Sequence, residues 1–297
     1  MFALPALTLA ALFTFYPIVA SWYFSLLDWS GLSTERAFVG FANYAELIGD
    51  SYFWQAFERS FGFALVTVPI RLALTLLVAI LLNDRALKLA PAFRTFFFIP
   101  VVTTTAIVGI LMQFLFSPFN GPINQVLLGA GLIAAPVDFL GNPSSALWTI
   151  MAVQIWKSFG ITMIYWLAAL QAIPAELYDA ARVDGAGAAS ILTRITLPLL
   201  KPFAAIIALI TAVSTLRVFD LVQTMTGGGP FFASEVMEVY IYRHAFSIQA
   251  FSAPRLGYAS AAGVFFGLSV MAVALVQGWV IRRANAARPF PRMGAVE

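Results

Sequence analysis

The sequence contains no cysteine and a single histidine. The first absence excludes disulfides and thiolate metal sites, and the second excludes a histidine metal cluster. Charge is scarce too: 10% of the 297 residues are Asp, Glu, Lys or Arg, against about a quarter in a soluble domain. Such a chain has too little polar surface to cover a particle surrounded by water. Nor does a basic stretch precede the first apolar run, Phe2 to Leu27. That run is about twice the length of a signal-peptide core, so it reads as a retained span.

What the chain does have is hydrocarbon. It is 61% apolar, with a mean hydropathy of +0.88. Runs long enough to cross a bilayer, roughly 20 residues each, lie at 2–27, 61–82, 96–116, 146–170, 202–220 and 257–281. The fifth is apolar only to Val218, because Arg217 and Asp220 stand at its end. Each must be a helix, since an open strand in lipid leaves its backbone groups unpaired. The expectation is an all-α integral membrane protein of about six transmembrane helices, one permease-sized domain over 1–297. Pro17, Pro69 and Pro100 are expected to bend or cap spans.

Basic residues orient the bundle. Arg85, Lys88, Arg94, Arg182, Arg194, Lys201, Arg282, Arg283, Arg288 and Arg292 follow alternate spans, whereas the other side holds Arg36, Arg59, Arg243 and Arg255 among eight acidic residues. The basic excess places the first group, and with it both termini, in the cytoplasm. The external stretches 28–60, 117–145 and 221–256 are rich in Gly, Pro and aromatic residues, which predicts short interfacial helices and turns. The net charge of +3 is thus sorted by side of the membrane and calls for no nucleic-acid partner.

One cytoplasmic connection, 173–198, has helical grammar. Pro174 suits a first turn, Glu176 and Asp179 favour the positive end of a helix, and Gly185 can end it in a left-handed turn. Leu177, Ala180 and Ala181 make a narrow face that would let another backbone approach closely. A second helix is expected from about Ala188, until Pro198 marks entry to the next span. An amphipathic helix resting on the inner leaflet has the same grammar.

The segment resembles the EAA loop of ABC-importer permeases. Asp179-Ala180-Ala181 is followed after three residues by Gly185, and after nine more by Ile195, Leu197 and Pro198. It departs once, with Asp179 where the pattern has Glu. FVGFANYAEL (38–47), TGGGP (226–230) and LGYASA (256–261) are similar to the sugar-permease, MalF/UgpA/LacF-like branch. The resemblance implies a type I importer permease fold with a cytoplasmic coupling helix. It also implies a second homologous permease, two ATP-binding-cassette subunits carrying ATP and Mg, and an external solute-binding protein. ATPase docking would then fall on Glu176, Leu177, Asp179, Ala180, Ala181, Asp184, Gly185, Ile195, Leu197 and Pro198.

Two polar stripes repeat every four residues within spans: Thr67, Arg71, Thr75 and Gln154, Ser158, Thr162. Interhelical hydrogen bonding is one reading; the wall of a sugar path is the other. For the second stripe, with Trp156, Lys157 and Tyr165 close in sequence, the path reading is adopted. Arg217 and Asp220, three apart, have the spacing of a local ion pair. Gly263 and Gly267 form a GxxxG expected to pack within the chain, and His244 is expected in a solvated loop. TGGGP lacks the Lys-Ser/Thr of a phosphate-binding loop, so no ATPase site or cofactor is expected here. A glycerol-phosphate or glycerophosphodiester importer of the same fold is the alternative. A secondary transporter is disfavoured because no span carries a central carboxylate, and an intramembrane enzyme because no nucleophile–base pair is present.

Overall fold

The computed structural model describes residues 3–84, 87–246 and 253–286. Arg85, Arg288 and Arg292 lie outside the described residues. In chain order the helices are α1 (Leu4–Phe24), α2 (Ala42–Gly49), α3 (Ser51–Leu82), α4 (Ala90–Val102), α5 (Thr105–Leu115), α6 (Pro122–Gly129) and α7 (Ala146–Lys157). They continue with α8 (Phe159–Gln171), α9 (Ala175–Val183), α10 (Ala188–Thr215), α11 (Phe219–Met225), α12 (Met237–Phe246) and α13 (Leu256–Ala286). Two short strands, β1 (Leu27–Asp28) and β2 (Ala37–Phe38), pair antiparallel with Leu27 opposite Phe38. Among the described residues, α1, α3, α10 and α13 are long and apolar enough to cross a membrane, and the bent pairs α4–α5 and α7–α8 bring the number to six.

Helix boundaries extend beyond the apolar runs for physical reasons. α3 starts at Ser51, not Phe61, because the Asp50 carboxylate accepts the Tyr52 N–H at 2.8 Å and caps it there. Its added turns present Phe53, Phe57 and Phe61 to Phe265 and Phe266 of α13, with ring centroids 5.4 to 6.1 Å apart for the pairs Phe53–Phe265, Phe57–Phe265 and Phe61–Phe266. Pro69 leaves α3 unbroken. Pro17 and Pro198 each follow a five-residue π turn, Ala11–Phe15 and Leu192–Thr196. The widened turn accommodates a proline ring that would otherwise meet the carbonyl four residues back. The second turn therefore joins the connection to the span, and α10 runs unbroken from Ala188 to Thr215. The expected separate helix ending at Pro198 is not formed.

By contact the chain divides into two compact units. One comprises Met1–Phe63, Thr105–Ile150 and Leu216–Met271; the other Ala64–Thr104, Met151–Thr215 and Ala272–Glu297.

In the first unit, Asn43 donates to the carbonyls of Ser25 and Leu27, both at 2.9 Å, tying α2 to the strand. α11 lies on α5 so closely that a methyl at Gly109 would overlap Thr224, and Gln113 donates to the Thr224 and Met225 carbonyls that end α11. A second cluster joins α2, α12 and α13: Tyr240 and Tyr258 donate to Asp50 at 2.5 and 2.9 Å, and Arg255 makes a bidentate pair with Glu46. His244 is no loop residue. Its half-buried ring stacks on Tyr240 at 4.2 Å and faces Tyr258 at 5.3 Å. Glu235 is buried in a bidentate pair with Arg243.

Arg217 and Asp220 form no ion pair; both are exposed. The chain leaves its helix between Thr215 and Phe219, so the three-residue helical spacing does not hold there. Among the described residues nothing lies within 4 Å of where a side chain on Gly263 or Gly267 would begin, so the close helix contact expected within the chain is not formed there.

The second unit has its own core, with Ala79 and Leu82 of α3, Ala90 of α4, Met163, Trp166, Leu167 and Leu170 of α8, and Leu200 and Ile207 of α10. α4 and α8 approach through Phe97 and Phe159, 5.0 Å between centroids. Arg94 donates to the Leu82 carbonyl at 2.6 Å, closing the negative end of α3.

Candidate functional site

The connection between α8 and α10 is built from local rules. Ile173 is buried and holds the end of α8. Pro174 is extended (φ −57°, ψ 133°) and sits at the cap of α9 rather than in its first turn. Tyr178 turns inward, its hydroxyl 3.4 Å from Thr196 Oγ1. Ala181, expected on the docking face, is 8% exposed and packs inward with it. That anchorage leaves Glu176, Leu177, Asp179, Ala180 and Asp184 facing out. Val183, 88% exposed, joins them and was not singled out from the sequence. Its signal was available: four residues from Asp179, it shares that helix face. Asp179 pairs with Arg182 at 3.1 Å, both side chains largely exposed.

The helix ends in a complete left-handed cap. Gly185 has φ +76°, its N–H donates to the Arg182 carbonyl at 3.0 Å, and Ala186 N–H donates to the Ala181 carbonyl at 2.9 Å. This is the paired hydrogen-bond pattern of a Schellman turn. Nothing lies within 4 Å of where a Gly185 side chain would begin, so conformation alone selects glycine. Beyond it, Leu197 is exposed, while Ile195 and Pro198 are half-buried on α10.

The stripe at Gln154, Ser158 and Thr162 straddles the break between α7 and α8, where the helix axis turns by 45°. Gln154 donates to Ser158 Oγ at 3.3 Å, and Thr162 donates to the Ser158 carbonyl at 3.2 Å. Gln154 is 8% exposed and Thr162 is buried, whereas Trp156 is 46% exposed. Trp156 therefore lies on another face, and the structure does not bring it to the stripe. Lys157, Ser158 and Tyr165 are half-buried. The other stripe is interhelical: Arg71 donates to the Thr211 carbonyl at 3.2 Å and to Thr215 Oγ1 at 3.0 Å.

The family described as "Binding-protein-dependent transport system inner membrane component" matches residues 72–286. The chain is 34% identical to the probable ABC transporter permease protein YurN of Bacillus subtilis, over 93% of both chains. It is 32% identical to the lactose transport system permease protein LacF of Rhizobium radiobacter, over 95% of this chain and 93% of that one. A solved bacterial ABC transporter involved in import of the acidic polysaccharide alginate contains a chain that superposes with a TM-score of 0.81, at 25% identity over 95% and 94% of the two chains. A family match over most of the chain, joined to near full-length relatives and a predominantly helical fold with up to six spans, leads to one conclusion: the chain belongs to the inner membrane components of binding-protein-dependent transport systems, the permease subunits of ABC importers.

Proposed function

We propose that this permease carries a saccharide delivered by an external binding protein, and that α9 is the helix on which an ATPase subunit pushes. The single observation that supports the docking assignment is the outward face of α9, closed by the Gly185 turn at the spacing of the EAA loop. Glu176, Leu177, Asp179, Ala180, Val183 and Asp184 would touch the ATPase. Ala181 and Pro198 would hold the helix in place, and Ile195 and Leu197 would flank it. A second homologous permease and two ATPase subunits would complete the complex, with ATP and Mg on the ATPases and no nucleotide site in this chain. Both termini would be cytoplasmic.

Lactose is named for the LacF relative, and another relative, 34% identical, is a sulfoquinovosyl glycerol permease of Agrobacterium fabrum. These support a saccharide over a glycerophosphodiester. Closure of the ATPase dimer would move α9, and α10 would carry that movement across the membrane, alternating the exposure of the path. Gln154, Ser158, Thr162, Lys157 and Tyr165 are proposed to contribute to the path, with Trp156 on a neighbouring face. The test is site-directed cross-linking from Val183→Cys and Glu176→Cys to the copurified ATPase. Cross-links at both positions, and none from a cysteine at Glu46, are expected; equal cross-linking at all three would overturn the assignment.

A further inference from the structure

Arg71 lies inside α3 in the second unit and is 2% exposed. Its guanidinium meets neutral oxygen, the Thr211 carbonyl and Thr215 Oγ1, while its Nε and Thr211 Oγ1 are buried without any hydrogen-bond partner. No salt bridge engages it among the described residues. The reason is compositional. The segments of α3, α4, α7, α8, α10 and α13 in the second unit hold no Asp or Glu; its described acidic residues are Asp84, and Glu176, Asp179 and Asp184 of α9 and its cap.

A buried arginine with no counter-charge is costly, and inside a membrane such residues are functional-site candidates by default, substrate pathways among them. The C-terminal turn of α10 offers about half an elementary charge of opposite sign, which offsets Arg71 only in part. The remainder is a fixed positive charge in low-dielectric surroundings, where its field reaches well beyond contact distance. Burial therefore does not silence it. For the remaining half charge and an effective dielectric constant of about 20, a monoanion about 6 Å away would be favoured by about 1.4 kcal/mol, or about tenfold, and a neutral solute not at all.

We propose that Arg71 is a specificity-determining residue, and that the saccharide this permease favours carries an acidic substituent, a carboxylate or a sulfonate. The proposal rests on the saccharide reading above. A purely mechanical role, stapling α3 to α10, makes the opposite demand: it needs the hydrogen bonds and not the charge.

The experiment measures binding by calorimetry to the permease complex with its ATPases, in nanodiscs and without the capture protein. The probes are cellobiuronate, its uncharged methyl ester, and cellobiose. Wild type is expected to bind cellobiuronate about tenfold tighter than the ester or cellobiose. Arg71→Lys keeps the preference, and Arg71→Gln, which retains donors to Thr215, loses it. The ester comparison needs no variant and holds even where Arg71→Gln does not assemble. Equal binding of acid and ester, or a preference that survives in Arg71→Gln, overturns the charge proposal and leaves the saccharide reading standing. Binding of none of the three probes overturns both.

Discussion

Gly160 is packed against the backbone of Phe97: a methyl on Gly160 would overlap the Phe97 carbonyl, and that carbonyl belongs to a helix that cannot yield as a side-chain tip would. Gly160→Ala is expected to cost about 1–3 kcal/mol through forced separation of α4 from α8. Gly62, with nothing within 4 Å of its missing side chain, is the control, and Gly62→Ala should be neutral or slightly stabilising. Thermal unfolding of the two purified variants in the same detergent checks the contrast.

The half-buried His244 gives stability a pH dependence. Burial, with Arg243 and Arg255 nearby, holds its pKa below the ordinary 6.5, although the Tyr240 carbonyl and Asp50 pull it up. The unfolded chain then binds a proton before the folded one does. Stability is complete above 6.5 and falls as pH drops from there through the lower folded value. Since the chain has no other histidine, His244→Gln should flatten that slope. Denaturation midpoints recorded between neutral and mildly acidic pH measure it, and an unchanged slope would refute the assignment.

At Gly185 the demand is conformational. Any residue with a branched side chain at φ +76° carries about 1–2 kcal/mol of strain, whereas Asn tolerates that region. Gly185→Val is expected to reduce uptake per complex several-fold while membrane insertion persists, and Gly185→Asn to stay near wild type. Uptake and ATP hydrolysis in proteoliposomes separate lost coupling from lost assembly; equal activity of the two variants would exclude the turn from the mechanism.

Gln154→Ala should weaken or redirect solute transport without lowering the yield of assembled complex. Trp156→Ala, on a different face, is expected to have the smaller effect. Uptake normalised to purified complex decides this. A normal rate for Gln154→Ala, with reduced yield, would reduce the stripe to helix packing of about 1 kcal/mol per bond.

The native absence of cysteine makes topology directly measurable. A cysteine at Lys88 should be protected from an impermeant thiol reagent in intact cells, and one at Glu46 should label. Labelling of the Lys88 variant from outside would invert the orientation.

Much of this was legible in composition. Apolar runs marked the spanning helices because lipid leaves the backbone no other way to pair. The Gly185 turn was legible because an open left-handed position selects glycine by backbone geometry alone. The break at Ser158 was not: no Pro marks it, and the nearby Gly160 sits inside α8, where it serves the contact with Phe97. Arg217 and Asp220 misled because helical spacing was assumed where the chain turns. Ala181 was assigned outward by its small size, whereas the direction of α9 is set by Tyr178 and Ile173, whose contacts are long-range.

The π turn before Pro198 has a mechanical consequence. Because the widened turn absorbs the proline without a break, α10 is a single rod of 28 residues, about 42 Å at 1.5 Å per residue. One end adjoins the Gly185 turn and the other is gripped by Arg71 at Thr211 and Thr215. A rod longer than the hydrocarbon core, about 30 Å, has no joint within the membrane at which a stroke could dissipate. Tilt applied at the Gly185 end must reappear at Thr215 as displacement, with the sign reversed about whatever point serves as fulcrum.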